Sequence, residues 1–235
     1  MAIVVHFAGS IHDYHQGHTF ADWVLAVRPI RCPHCGREHV CILWGSYQRW
    51  VYTTTQRLRI CIERVRCTVC GVTDALLPHF LHMFRRYALP LIQRALFLAL
   101  EDGLWGRALV DAVGPYHRPA PATICEWVWS FALSAQRWLV VWLQRALLTI
   151  VPQAPLDGDS LPAHCQAIPN PERRAAWGQG HQALRLAEAL YAATRAHKPD
   201  LVFQAKALLA FLAACLAATR RLPRLLWPGA PVRPP

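Results

Sequence analysis

A chain of 235 residues, 54% hydrophobic and 17% charged, has ample apolar material for a buried core and falls outside the disordered class. Its formal charge of +11, from 25 basic against 14 acidic residues, favours phosphate-bearing partners. Nine cysteines are an odd number for a secreted disulfide scaffold, and the short apolar start lacks the basic opening of a signal peptide, so a cytoplasmic, nucleoid-associated protein is expected.

Residues 1–31 read as a leader packing on the unit formed by residues 32–86. The leader opens with a strand at 2–7 and carries His12, His15 and His18, whose spacing of three drifts around a helix and stacks no metal pair. In the second unit, Cys32-Pro33-His34-Cys35-Gly36 and Cys67-Thr68-Val69-Cys70-Gly71 are two Cys-x-x-Cys-Gly knuckles, 31 residues apart. The two-residue gap lets both sulfurs of a knuckle face one tetrahedral ion, and the glycine lets the backbone turn behind it. Cys32, Cys35, Cys67 and Cys70 are therefore assigned as ligands of one structural Zn²⁺, with an iron centre or a redox pair as alternatives. Closed four-sulfur coordination leaves no position for a reacting water. His34 or His39 is the nearest substitute for a missing cysteine, whereas Cys41 and Cys61 read as packed thiols.

Between the knuckles the expected strands are 40–44 and 50–54, with a turn at Gly45-Ser46, and then 57–66. The last alternates, with Leu58, Ile60 and Ile62 facing one way and Arg57, Arg59, Cys61 and Glu63 the other.

Pro78 and Pro90 then punctuate a linker. Residues 87–150 read as a helical domain with helices over 89–101 and 105–113, the second closed by Gly114, a Pro-rich turn at 115–121, and a third helix opening near Thr123 and carrying Trp127. Short helix, glycine, turn and Trp-bearing helix make a helix-turn-helix-like layout, with an unrelated three-helix bundle as the alternative. A long helix at 135–150, a Pro-rich linker at 151–176, a helical hairpin at 177–222 and a tail at 223–235 complete the chain. The apolar stretches 127–151 and 205–218 are not membrane spans: the first carries Arg137, Gln144 and Arg145, and the second is too short. The fold class is α+β, a small β zinc ribbon followed by a mostly helical bundle and tail.

Val4-Val5-His6-Phe7, Arg31 with the first knuckle, Arg64-Val65-Arg66 with the second, Leu76-Leu77-Pro78-His79-Phe80-Leu81 and Arg86-Tyr87 resemble a bacterial family of unknown function with an N-terminal zinc ribbon. Its members resemble the N-terminal regions of insertion-sequence transposases, and the resemblance covers about residues 1–150. It implies a transposon-associated DNA-binding module with a helix-turn-helix, matched here by Thr123 and Trp127. Where that family commonly has basic residues in the third helix, this chain has Ile124-Cys125-Glu126.

Eleven arginines stand against three acids between residues 28 and 94, and Trp44, Tyr47, Trp50 and Tyr52 are interleaved with them. Basic residues mixed with aromatics point to backbone-dominated DNA contact. The candidate contacts are Arg49, Arg57, Arg59, Arg64, Arg66, Arg85, Arg86, Arg107, Arg118 and Thr123. No carboxylate triad, Gly-rich phosphate loop or activated nucleophile stands out, so no enzymatic activity is expected. The C-terminal helices are the expected contact with a second copy or a transposition partner. The alternative function is a protein-interaction adaptor in a transposition or transcription complex.

Overall fold

A computed structural model describes residues 2–5, 11–17, 30–78, 80–81, 86–114, 119–156, 161–197 and 212. The second helix of the expected C-terminal hairpin, apart from helical Leu212, lies outside these residues, as do the tail, His18, Arg85 and Arg118.

Four strands form one sheet: β1 (Ala2–Val5), β2 (Cys41–Tyr52), β3 (Arg57–Cys67) and β4 (Thr73–Pro78), in the spatial order β1-β4-β3-β2. β1 joins β4 in parallel, pairing Ile3 with Leu76 and Val4 with Leu77, so the leader completes the sheet. β2 and β3 pair antiparallel from Cys41–Cys67 at one end to Tyr52–Arg57 at the other. β4 pairs with β3 only over Arg64–Arg66, so the far half of β2–β3 extends as a two-stranded ribbon. Helix α1 (Ile11–Gly17) lies against β3, its buried Tyr14 donating to the Cys61 carbonyl at 2.6 Å and meeting Phe80 edge-on at 5.8 Å.

Two sequence expectations change here. Gly45-Ser46 is not a turn: β2 runs through it as one strand, with a bulge between Leu43 and Gly45, and Gly45 has a φ of 124° that suits the irregularity. The hairpin turn lies later, at Thr53–Gln56, where Thr53 Oγ1 accepts the amides of Thr55 and Gln56 at 3.2 and 3.0 Å. In addition, the segment after the second knuckle forms β4, where the sequence pattern suggests a linker.

The helical part contains α2 (Leu89–Leu100), α3 (Gly106–Val113), α4 (Pro121–Ser134), a π-helical turn (Ala135–Leu139), α5 (Val140–Ile150), α6 (Ala163–Gln166) and α7 (Pro171–His197). α2 follows its pattern, burying Leu91, Ile92, Ala95, Leu96, Ala99 and Leu100. The third helix and the long helix are one continuous rod: the π turn absorbs one extra residue without breaking it. α7 lies along α5, the π turn and α4. It starts at Pro171, six residues before the expected position, because Asn170 Oδ1 accepts the Arg173 amide at 2.8 Å while Pro171 and Glu172 occupy the first turn. Glu101, just past α2, clamps α7 by contacting His181 Nε2 at 3.2 Å and Arg185 Nη2 at 3.1 Å.

Sheet and helices share one core. An aromatic relay joins them, with Tyr52 against Tyr87 at 5.2 Å and Tyr87 edge-on to fully buried Trp127 at 4.9 Å. Residues 86–88 are tied to the end of β2 by Tyr52 N to Arg86 O (2.8 Å) and Ala88 N to Tyr52 O (2.9 Å). Among the described residues no helix is long and apolar enough to cross a membrane.

Because Asn170 caps α7, Asn170→Ala should lower stability by about 1 kcal/mol in urea unfolding while Asn170→Asp, which keeps the acceptor, should change it little.

Candidate metal centre and basic face

The two knuckles have the same backbone. In the first, Gly36 N donates to Cys32 O at 2.9 Å and Cys32 N to Arg37 O at 2.8 Å; in the second, Gly71 N donates to Cys67 O and Cys67 N to Val72 O, both at 2.9 Å. Gly36 and Gly71 sit at φ 74° and 72°, a left-handed conformation that a side chain would strain. The first knuckle is a loop outside the sheet, tied to β4 by His34, whose Nε2 lies 2.8 Å from Asp74 Oδ2. The second closes β3 and leads into β4, and it is tied to β2 by the amide and hydroxyl of Thr68, which both donate to Val40 O, at 2.8 and 3.0 Å.

This places the sulfurs of Cys32, Cys35, Cys67 and Cys70 within 4.8 Å of one another. Cys32 and Cys70 are 3.7 Å apart, as are Cys35 and Cys67. Sulfurs held at ~2.3 Å around a tetrahedral ion are about 3.8 Å apart, whereas a disulfide needs ~2.05 Å. The set therefore fits a metal ion, and four thiolates in a tetrahedron is a zinc donor set. Among the described residues it is the one group of three or more potential ligands close enough to hold an ion.

Electrostatics inside the cluster are polarised. The Cys70 amide, 3.5 Å from Cys67 Sγ, and the Val69 amide pull the Cys67 thiol down to about 6. At Cys70 the Val72 amide also favours the thiolate, but burial and the sulfurs of Cys67, Cys32 and Cys35 outweigh it and push the thiol up to about 12. Four ionised sulfurs in this space require a cation among them. Cys41, paired with Cys67, stays outside the cluster; burial and then the neighbouring thiols push it up to about 11, which keeps it a neutral packed thiol. His34 does not approach the sulfurs as a substitute ligand but contacts buried Asp74 at 2.8 Å.

The arginines divide into groups. Burial along β3 alternates, with Leu58, Ile60 and Ile62 inside and Arg57 and Arg59 outside, and then reverses phase, with Val65 and Cys67 inside and Arg64 and Arg66 on the more open side. Because successive side chains point to opposite faces, Arg57 and Arg59 leave β3 from one face and Arg64 and Arg66 from the other.

At the ribbon tip Trp50 pairs across the strands with Arg59, and Tyr52 with Arg57. The Arg57 guanidinium lies 3.8 Å from the centroid of Trp50 and 5.6 Å from that of Tyr52, with Arg59 at 6.0 Å from Trp50. At the knuckle end Arg66 lies 4.5 Å over Trp44. Trp50 and Trp44 remain 43% and 52% exposed, a large apolar area left in solvent. Among the described residues none of Arg57, Arg59, Arg64 and Arg66 pairs with a carboxylate.

The other assigned residues are scattered. Arg49 is half-buried and hydrogen-bonds Tyr47; its partner across the strands is buried Ile60, which puts it on the face opposite Arg57 and Arg59. Arg86 is exposed beside the Tyr52 end of β2. Arg107 is on α3, 3.8 Å from Asp111. Thr123 lies in the first turn of α4, whose open positions include Ala122, Cys125, Glu126 and Trp129.

Sequence reasoning missed a cleft of about 420 Å³ beside that helix, lined by Trp105, Ala122, Cys125, Glu126, Trp129, Arg173 and Trp177. Trp177 packs at a tilt against Trp105 at 4.9 Å and Trp129 at 5.7 Å, with Arg173 over it at 5.3 Å. The spacing of these tryptophans carried no signal because α7, which brings Trp177 and Arg173 to α4, lies far along the chain.

A family model described as a domain of unknown function (DUF6431) matches residues 32–101, from the first knuckle to the end of α2. No curated protein and no solved structure matches the chain.

Purified protein should carry about one zinc per chain by elemental analysis, and Cys67→Ser should lose it together with the cooperative unfolding of the ribbon. Acidification should release the metal progressively, because each ligand must shed a proton to bind and protons compete as pH falls; a chromogenic chelator would follow the release.

Proposed function

We propose that the protein binds DNA, with a metal-stapled ribbon that docks on the phosphate backbone and with no catalytic site of its own. The observation that carries this reading is the set of four arginines on one strand with no carboxylate partner among the described residues, three of which, Arg57, Arg59 and Arg66, lie against exposed tryptophans. Arginine suits phosphate because its planar fork offers paired donors and holds its charge at any working pH. The ion is structural: four sulfurs close its coordination and fix the hairpin that displays the arginines.

A transposon-associated role, as accessory factor or transposase-like N-terminal module, is supported by the sequence resemblance. The helix-turn-helix-like segment carries less of the proposal, since the open first turns of α4 hold Cys125 and Glu126 and no base. A second reading, an adaptor for a protein partner, is favoured by the tryptophan cleft beside α4.

Affinity for labelled DNA, measured as salt rises, separates the two. A DNA binder that neutralises about four phosphates loses affinity by roughly three log units per tenfold rise in salt. Replacing Arg57, Arg59, Arg64 and Arg66 by Ala should weaken binding at least ~10-fold and flatten the slope by about one unit per arginine that contacts phosphate. Absence of binding at low salt would overturn the DNA reading. Binding that the four substitutions leave unchanged would favour the adaptor.

A further inference from the structure

We propose that the ribbon tip holds unpaired nucleobases, with Trp50 as the stacking platform and Arg57 and Arg59 as its phosphate contacts. This rests on the DNA-binding reading and specifies the form of nucleic acid.

Phosphate attraction alone needs no tryptophan. A duplex offers phosphates and groove edges while its base faces are hidden in the stack; an unpaired strand offers phosphates and π-faces together. The tip matches the second partner. Trp50 is 43% exposed on a strand held in register with β3, so its indole is presented from a fixed backbone.

Tyr52 stands two residues along on the same face, roughly 6.6 Å away. Tyr52 is half-buried against Tyr87, so it walls the platform, and the face on offer to a base is that of Trp50. The Arg57 guanidinium, within 5.6 Å of both ring centroids, bridges the two positions. A guanidinium plane over an indole is itself a stacking surface, and when it turns to a phosphate it releases the ring to a base. Arg66 over Trp44 repeats the pair at the knuckle end but leaves β3 from the opposite face, so the platform is the tip alone. No cleft is required: the platform is an open strand face, as a continuous strand of bases needs.

The test uses the zinc-loaded full chain and four labelled probes of equal length, about 16 nucleotides to cover a site of this kind: oligothymidine, the same phosphodiester chain with abasic residues, a duplex, and oligouridine. Fluorescence anisotropy at low salt should give roughly 10-fold or tighter binding of oligothymidine than of the abasic chain or the duplex. Trp50→Leu, which keeps an apolar side chain at the site, should lose roughly that factor on oligothymidine and nothing on the abasic chain. A hold on oligouridine tighter than on oligothymidine assigns RNA as the source of the bases, the reverse assigns DNA, and both keep the stacking site. Equal affinity for the thymidine and abasic chains, or a duplex bound more tightly than the single strand, would overturn the proposal while leaving DNA binding in place. Failure of every probe at low salt would remove the DNA-binding reading itself. The abasic comparison leaves the protein unaltered, so it decides the matter even if the Trp50 variant folds poorly.

Discussion

Four sulfurs brought within 4.8 Å of one another cannot all ionise without a cation between them, and most of the ribbon's geometry derives from that constraint. Cys67 is both one of the four clustered sulfurs and the last residue of β3, and Cys41, its partner across the strands, opens β2. Fixing the metal therefore fixes where the two longest strands begin to pair, and their register carries through to the tip, where Trp50 meets Arg59. A one-residue slip would turn Leu58, Ile60 and Ile62 outward and Arg57 and Arg59 inward. The knuckles and the hydrophobic alternation agree on one register, which is the consistency that specifies a fold.

The ribbon's other face is covered by apolar packing. Val51, Leu58, Ile60 and Ile62 are fully or almost fully buried, and each such side chain contributes ~1.5–3 kcal/mol by leaving water. The relay Tyr52–Tyr87–Trp127, which starts from the opposite face at the end of β2, adds a second link to the helices, so ribbon and bundle form one core. The Glu101 clamp and the tryptophan stack then hold α7 over α4. A helix meant to enter a groove must offer an open, polar first turn. Here that region is bordered by Trp105, Trp129 and Trp177, so the first turns of α4 border an aromatic cleft and present no base.

The features legible in the sequence were those with local causes. Both knuckles, the alternation from Arg57 to Glu63 and the apolar stripe of α2 are written at short spacing, and each was read correctly. The bulge at Gly45 was misread because Gly-Ser signals a turn unless a partner strand continues past it, and that partner is β3. β4 was missed because six residues ending in Pro78 make a weak strand alone; it is held between β1 and β3. The start of α7 was legible in Asn170-Pro171-Glu172, but prolines on either side made the segment look like linker. The division of the arginines between two faces was hidden for another reason. Alternation gives opposite faces to Arg57 and Arg64, yet only tertiary cover decides which face is open at each end.

That division makes the two arginine groups unequal. Four thiolates around a zinc ion would carry a net charge of about −2, and the Arg66 side chain reaches the second knuckle, with Nη2 3.8 Å from where a Cβ on Gly71 would stand. A loaded centre would therefore offset part of the positive potential of the knuckle-end arginines. Arg59 is eight positions from Cys67 along β3, roughly 26 Å of extended strand, several times the ~8 Å screening length at physiological salt. The tip arginines keep their full attraction, and they flank the indole with the most guanidinium around it. A metal that positions the strands would thus also weaken the positive potential nearest to it, leaving the strongest positive potential at the opposite end of the ribbon.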